Sequence, residues 1–328
     1  MQQGKKRKPP VLAIDLGGTK IITALVSDKG EIIARKYCLT LANKGTESVI
    51  NRILSTVDSF LNLRNMSVRQ LNAISIAAAG VIDMEKGIIT RSPNLPGWID
   101  IPLRSIVKEK FQVDTFLIND ANAAVLGEYQ FGAGKGLSNL ILITLGTGIG
   151  GGIIINGRLY FGASGGAGEI GHMTIDVNGP RCSCGNTGCL EMFASGTAIA
   201  REAIRRINDG EKSSLTSVVK GKIKNITAEK VEKVAREGDY LASDVIARAA
   251  SYLGAGMVNL VNIFNPEMII IGGGMSEMGE LLLDPIRHAV RERAFHLSAQ
   301  AVRIVPAQLG SDAGVSGAAV FAFQRGSV

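Results

Sequence analysis

Residues 11–26, VLAIDLGGTKIITALV, decide how the rest of the chain is read. Val11 to Ile14 lead into Asp15, the bend residues Gly17, Gly18, Thr19 and Lys20 follow, and a second apolar run ends at Val26. Short β-branched and apolar runs bounded by Gly, Ser and Asp read as strands, so this stretch predicts a hairpin bent through glycines. A glycine bend lets backbone N–H groups approach an anion, because no Cβ stands in the way. Taken alone, the stretch is either a phosphate cradle or an ordinary Gly-Gly hairpin.

The pattern returns 129 residues later. Residues 143–155, ITLGTGIGGGIII, align without a gap, setting Thr144 under Asp15, Gly146 under Gly17 and Ile155 under Val26. Asn156-Gly157 follows, a strong short hairpin signal. Two glycine-turned hairpins predict two similar lobes, each offering a phosphate loop to a shared cleft.

A chain of 328 residues can bury a large core and favours two domains. Its 46% hydrophobic and 20% charged content is that of a globular protein. The net charge of +7 suggests nucleic acid, but Lys5, Lys6, Arg7 and Lys8 supply four of those charges, leaving about +3 on the body. The leader reads as a solvated tail; without an apolar run it is no signal peptide. Residues 136–157 are uncharged and long enough to span a membrane, but their glycines and hairpin match exclude that. The chain is expected to be cytoplasmic, with no nucleic-acid or membrane partner.

Strand 31–40, helix 46–64 and strand 73–77, running into Gly80, follow the first hairpin. PNLPGW at 93–98 is a rigid loop, with Asn94 in it. Strand 115–118 stops at Asn119-Asp120, before a helix over 121–128. Past the second hairpin come an irregular Cys-rich loop (181–190), helices over 197–208, 227–237 and 239–264, strands 268–271 and 302–305, and an alanine-rich helix over 313–323 expected to cross back to the first lobe. Alternating strands and helices indicate an α/β fold.

His172, Cys182, Cys184 and Cys189 are spaced H-x9-C-x-C-x4-C, a closed tetrahedral set suited to structural Zn²⁺. A disulfide would leave one cysteine unpaired, and a Cys-x-Cys bridge is sterically poor; scattered core thiols are the other reading. Gly146, Gly148 and Gly151 match G-x-G-x-x-G, but strand and turn follow where a dinucleotide fold needs a helix. Asp120 suits a helix N-cap, a general base at the mouth of a sheet, or both together. Glu169 and Glu191 flank the cysteine cluster as surface acids or as carboxylates aimed at a polyol. Gly272-Gly273-Gly274 is a bland turn or a bare surface for adenosine.

Together, DLGGTK (15–20), NDANAA (119–124), LGTGIGGG (145–152), EIGH (169–172), CSCGNTGCLE (182–191) and IIIGGGM (269–275) resemble the ROK family (repressors, open reading frames and sugar kinases) over nearly the whole chain. The resemblance implies a two-lobed actin-like ATPase (ribonuclease H-like) α/β fold with a duplicated glycine-turn hairpin and a central cleft. Beyond a basic tail at 1–10, it implies a small lobe of 11–120 plus 310–328 and a larger lobe of 121–309 carrying a zinc-bound sugar loop. Asp120 then matches the catalytic base. Gly80, Asn94, Asn119, Glu169, His172 and Glu191 match the substrate contacts, and His172, Cys182, Cys184 and Cys189 the Zn²⁺ ligands. Gly17, Gly18, Thr19, Lys20, Gly146, Thr147, Gly148 and Gly150 match the ATP phosphate loops, and Gly272, Gly273 and Gly274 the adenosine side; Asp15 would reach Mg²⁺ through water. The expected activity is ATP-dependent phosphorylation of the 6-hydroxyl of a hexose, glucose first, in a homodimer or homotetramer. N-acetylmannosamine, N-acetylglucosamine or fructose kinases share these motifs, and a sugar-sensing regulator is the non-enzymatic alternative. Family repressors carry a winged helix ahead of the first hairpin, where only ten residues stand here.

Overall fold

Two five-stranded sheets with the same strand order carry the molecule. They belong to a computed structural model that describes residues 8–325, so residues 1–7 of the expected basic tail lie outside the described residues. In chain order come β1 (Val11–Leu16), β2 (Lys20–Val26), β3 (Ile32–Leu39) and β4 (Ala73–Ala78). A small antiparallel meander follows, β5 (Val81–Asp83), β6 (Ile88–Arg91) and β7 (Ile99–Ile101), and then β8 (Thr115–Asn119). The second half supplies β9 (Leu140–Leu145), β10 (Ile149–Ile155), β11 (Arg158–Leu159), β12 (Met268–Gly272) and β13 (Arg303–Pro306). The sheets run β3-β2-β1-β4-β8 and β11-β10-β9-β12-β13, so the duplication inferred from the hairpins extends to the whole sheet.

In both sheets the first strand pairs antiparallel with its hairpin partner and parallel with the next strand. A strand buried on both faces reads as a continuous apolar run, which is why Val11 to Ile14 and Leu140 to Ile143 show no alternation.

The hairpins themselves differ by one residue, which corrects the ungapped match. In the first, Leu16 faces Ile21 across a four-residue bend; in the second, Leu145 faces Ile149 across three residues. A one-residue slip moves side chains to the opposite face of the strand. Gly150 therefore stands opposite Thr144 in the place that Ile22 takes opposite Asp15.

The helices are α1 (Thr46–Asn62), α2 (Leu103–Phe111), α3 (Asp120–Phe131), α4 (Glu191–Ala194), α5 (Gly196–Asn208), α6 (Leu215–Val218), α7 (Ala228–Arg236), α8 (Tyr240–Phe264), α9 (Glu280–Arg293), α10 (His296–Ala301) and α11 (Ala313–Arg325). Two of them lie between the sheets. Helix α3 follows the last strand of the first sheet yet packs on β9 and β10, while α11 follows the last strand of the second and packs on β1 and β4. Residues 121–128 of α3 and 315–322 of α11 are buried all round, so neither helix has a polar stripe. Where the two cross, a Cβ on Gly127 would come 2.5 Å from the Ala313 carbonyl oxygen, and one on Gly317 would strike the Ala123 carbonyl. Glycine is what lets the two helices touch.

The meander and α2 escape the sequence reading; strands of three or four residues carry too little periodicity to register. So does α9, whose internal Pro285 reads as a breaker. Among the described residues no helix is long and apolar enough to cross a membrane, and residues 140–155 of the uncharged stretch form the β9–β10 hairpin.

Candidate active site

The parallel strands β1, β4, β8, β9 and β12 deliver Asp15, Gly80, Asn119-Asp120, Thr144 and Gly272 at or just past their C-terminal ends. Open α/β sheets bind ligands at such ends. Two cavities meet there. One, of about 490 Å³ of empty space, is lined by Gly80, Val81, Ile82, Met84, Asn119, Asp120, Ala121, Asn122, Gly150, Gly151 and the 165–169 loop. The other, about 670 Å³, is lined by Asp15, Lys20, Ile22, Asp120, Ala124, Leu142, Thr144, Gly272, Gly273, Ala307, Gly310, Ser311 and Gly314 among others. Asp120 and Ala121 line both, so a carboxylate stands at the junction.

The N-cap role considered for Asp120 belongs to its neighbour. Asn119 Oδ1 accepts from the N–H groups of Ala121 at 3.0 Å and Asn122 at 3.1 Å, while its Nδ2 donates to the Gly80 carbonyl at 3.1 Å. Asp120 is thereby the first residue of α3 and is free to face the cavities. Burial raises its pKa above the ordinary 3.8, against the pull of the Ala121 N–H, its own N–H and the Asn119 side chain. Asp15 is pushed up to about 7, first by burial, then by the charge of Asp120, with Lys20 opposing. The Asp15 carboxylate still opens on the larger cleft, so solvent there tempers its desolvation. Two carboxylates that resist joint ionisation are a set that a hard divalent cation relieves.

Glu169 lies in the smaller cavity, its pKa raised by burial first; His172 lowers it, while Asp120 and Glu191 raise it further. His172 faces two ways, its Nε2 3.9 Å from Glu169 Oε2 and its Nδ1 3.7 Å from Cys182 Sγ. Cys184 and Cys189 are 3.7 Å apart, and the four ligand atoms all lie within 4.8 Å of one another. Tetrahedral Zn²⁺ with its usual bond lengths has ligand edges of about 3.6–3.8 Å, so the cluster fits that ion. Burial, then Cys184 and Cys182, push the Cys189 thiol up to about 12, while the Asn186 backbone N–H leads in lowering Cys184. No disulfide joins them.

Glu191 follows two residues after Cys189, and its Oε2 accepts from Ile149 N–H at 3.0 Å, beneath the second hairpin. It lines neither cavity. That turn is also held by α5: Gly196 N–H donates to the Gly146 carbonyl at 2.8 Å, and Thr197 Oγ1 to the Thr147 carbonyl at 2.8 Å. In the first turn, Gly17 N–H donates to the Lys20 carbonyl at 3.1 Å and Thr40 Oγ1 to the Gly17 carbonyl at 2.7 Å. Of the expected phosphate-loop residues, Asp15 and Lys20 line the larger cleft, whereas Gly17, Gly18, Thr19, Gly146, Thr147 and Gly148 do not.

His172, an expected sugar contact, lines neither cavity, and three further placements differ from expectation. Gly150 lines the smaller cavity on the Glu169 side, a result of the hairpin slip. Asn94 is exposed, its carbonyl 2.7 Å from where a Gly18 Cβ would stand, outside both cavities. Gly272 and Gly273 line the larger cleft, but Gly274 begins a 3₁₀ turn outside it.

The sequence reading also missed part of each wall. Ala307, Gly310, Ser311 and Gly314 precede or open α11, and the Gly-Ser run ahead of a small-residue helix was their available signal. Gly165, Gly166, Ala167 and Gly168 immediately precede Glu169 in the smaller cavity, signalled only by glycine density. In β10, glycines are packing devices: a Cβ on Gly152 would meet Val125 and the Ala121 carbonyl, and one on Gly151 the Gly168 carbonyl.

Residues 11–325 match the model of the ROK family. The glucokinase of Thermotoga maritima is 38% identical over 318 residues, covering 97% of this chain and 98% of that protein. The xylose repressor of Caldicellulosiruptor bescii is 36% identical over 285 residues, covering 87% of this chain and 71% of the repressor. Among solved structures, a ROK family glucokinase from Streptomyces griseus in complex with glucose and AMPPNP superposes with a TM-score of 0.83 at 36% identity, covering 96% of this chain and 99% of that one.

Proposed function

The chain belongs to the ROK family, and from that premise we propose that it is an ATP-dependent glucokinase, with Asp120 as the base that deprotonates the sugar's 6-hydroxyl. The observation that carries this reading is the position of Asp120 on the walls of both cavities. Glucose occupies the smaller cavity beside Glu169, and ATP the larger one, its triphosphate pointing at Asp120. Curated glucokinase relatives and a superposable glucokinase holding glucose and AMPPNP support the substrate pair.

Phosphoryl transfer passes through a loose transition state, so positioning and charge neutralisation dominate. As O6 bonds to the γ-phosphorus and the bond to ADP breaks, the O6 proton passes to the Asp120 carboxylate. A raised pKa makes this carboxylate a stronger base near neutral pH. A Mg²⁺ ion reached through Asp15 supplies charge neutralisation when bound. Lys20 and the opening turn of α11 add positive potential along the same wall. His172, Cys182, Cys184 and Cys189 hold a structural Zn²⁺, and through Glu191 and Glu169 that cluster stiffens both the second hairpin and the sugar loop. Closure of a lobe of 11–120 plus 310–328 onto one of 121–309 brings Asn94 and the two turns onto the ligands and excludes water. We infer a homodimer or homotetramer from family resemblance.

A sugar-sensing regulator is the second reading, favoured by the xylose repressor match. A coupled ADP-release assay over glucose, mannose, fructose, N-acetylglucosamine and N-acetylmannosamine separates the readings. Glucose-dependent ADP release supports the kinase, with preference for another sugar renaming the substrate. Sugar-induced thermal stabilisation with no ADP release from any of them overturns it in favour of the sensor.

A further inference from the structure

Asn122 lies on α3, two residues beyond Asp120, and is 4% exposed. It lines the smaller cavity together with Gly80, Asn119, Asp120 and Glu169. Its backbone N–H is held by the Asn119 cap, but its side-chain Oδ1 is buried without a hydrogen-bond partner. Buried carbonyl oxygens are almost always paired, and leaving one unmade costs stability. Thr23, Ser75 and Ser92 also carry unpaired buried hydroxyl oxygens, yet those three line neither cavity. An amide carbonyl has fewer ways out than a hydroxyl: its oxygen accepts but cannot donate.

A wholly structural asparagine would be a poor choice at this position. The surrounding residues of α3 are Ala121, Ala123, Ala124 and Val125, and an apolar side chain of similar size would fit that environment without an orphaned acceptor. Asn122 instead lines the cavity next to the proposed base, where a polyol would bring donors. We propose that Asn122 is a substrate-binding residue whose Oδ1 accepts a hydrogen bond from a second hydroxyl of the same sugar that Asp120 deprotonates. The proposal rests on the sugar-site reading of the smaller cavity. It also gives that pocket a means of selection, because a site with a buried acceptor rejects an analogue lacking the matching hydroxyl.

The test compares wild type with Asn122→Leu, nearly isosteric and apolar. Calorimetric titration with glucose and with 1-, 2-, 3- and 4-deoxyglucose is read alongside melting temperature and KM. In Asn122→Leu the sugar-free protein should melt no lower than wild type, since the orphaned acceptor is gone. Its glucose Kd and KM should rise roughly 10- to 100-fold, as expected for one buried hydrogen bond. For one deoxyglucose the two proteins should bind within about 2-fold of each other, identifying the hydroxyl. Asn122→Ala repeats the comparison if the leucine variant does not fold. Glucose affinity within about 3-fold of wild type, or an equal loss for every analogue, overturns the assignment. Because binding is read without turnover, a wild type that binds glucose but releases no ADP sinks the kinase reading and leaves this one to be judged on the same titrations.

Discussion

The two hairpins share strand order, strand lengths and glycine bends, and yet they do opposite work. The first is built from bulk and charge: β2 begins Lys20-Ile21-Ile22, and Asp15 on β1 faces the cleft. The second is stripped to backbone. Thr144 stands where Asp15 does, and Gly150, Gly151 and Gly152 leave β10 bare enough for α3 to lie on one face and residues 168–170 on the other. A four-residue bend against a three-residue one produces this division, since the slip changes which residues of each second strand face the site. On the proposed reading, the first hairpin supplies a charged group to the nucleotide side, and the second seats the helix that carries the proposed base.

The sharpest way to break this contrast is to exchange its polar residues. Asp15→Asn should lower turnover by at least about 100-fold by removing the charge that meets the cation, whereas Thr144→Val should change it less than about 5-fold. Steady-state kinetics at saturating ATP and Mg²⁺ read the difference; equal losses would erase the asymmetry. The same carboxylate carries a pH signature. Its folded pKa of about 7 lies above the ordinary 3.8, so the folded state binds more protons than the unfolded one between those values. Asp15 thus makes stability fall as pH rises from about 4 to about 7 and contributes no further slope above. Melting curves across that range should show a shallower decline in Asp15→Asn.

Next in size is the bare face of β10. A Cβ on Gly152 would lie 2.5 Å from Val125 Cγ1 and 2.9 Å from the Ala121 carbonyl oxygen. Gly152→Ala should cost about 1–3 kcal/mol and depress kcat by displacing α3. Gly146, in the turn of the same hairpin, has open space around its Cβ position. Gly146→Ala should stay within about 0.5 kcal/mol of wild type in denaturant titrations. Comparable destabilisation of both would show that the glycines serve the bend rather than the packing.

The smallest expected effect concerns the support beneath the second hairpin. Chelation, or Cys184→Ser, should raise the sugar KM about 10-fold and lower the melting temperature while leaving the ATP KM nearly unchanged, because Glu191 and Glu169 border the cluster and Asp15 does not. An unaltered sugar KM in protein shown to be metal-free would separate the cluster from the site.

The architecture was legible in the sequence because it repeats. Apolar runs at 11–16 and 140–145, each followed by a glycine bend, gave both sheets their first pair of strands, and residues 313–323 read correctly as a helix returning to the first sheet. Asp120 was visible as a strand-end carboxylate, and the cysteine spacing foretold a cluster that does assemble. Register was not legible, since the ungapped match hid a bend one residue shorter and so put Gly150 on the wrong side. The cap was left open because Asn119 and Asp120 are adjacent and both good N-caps; Asn119 turns back, and its Nδ2 is held by the Gly80 carbonyl, 39 residues away. Asn122 was equally invisible, because a missing hydrogen bond has no sequence signature.

A single carboxylate, Asp120, is proposed to serve both cavities. Asp120→Asn keeps size and shape while removing the base. Glucose binding by calorimetry should stay within about 3-fold of wild type, and turnover should fall by about 10²- to 10⁴-fold. Turnover within about 3-fold of wild type, with glucose still bound, would contradict the account.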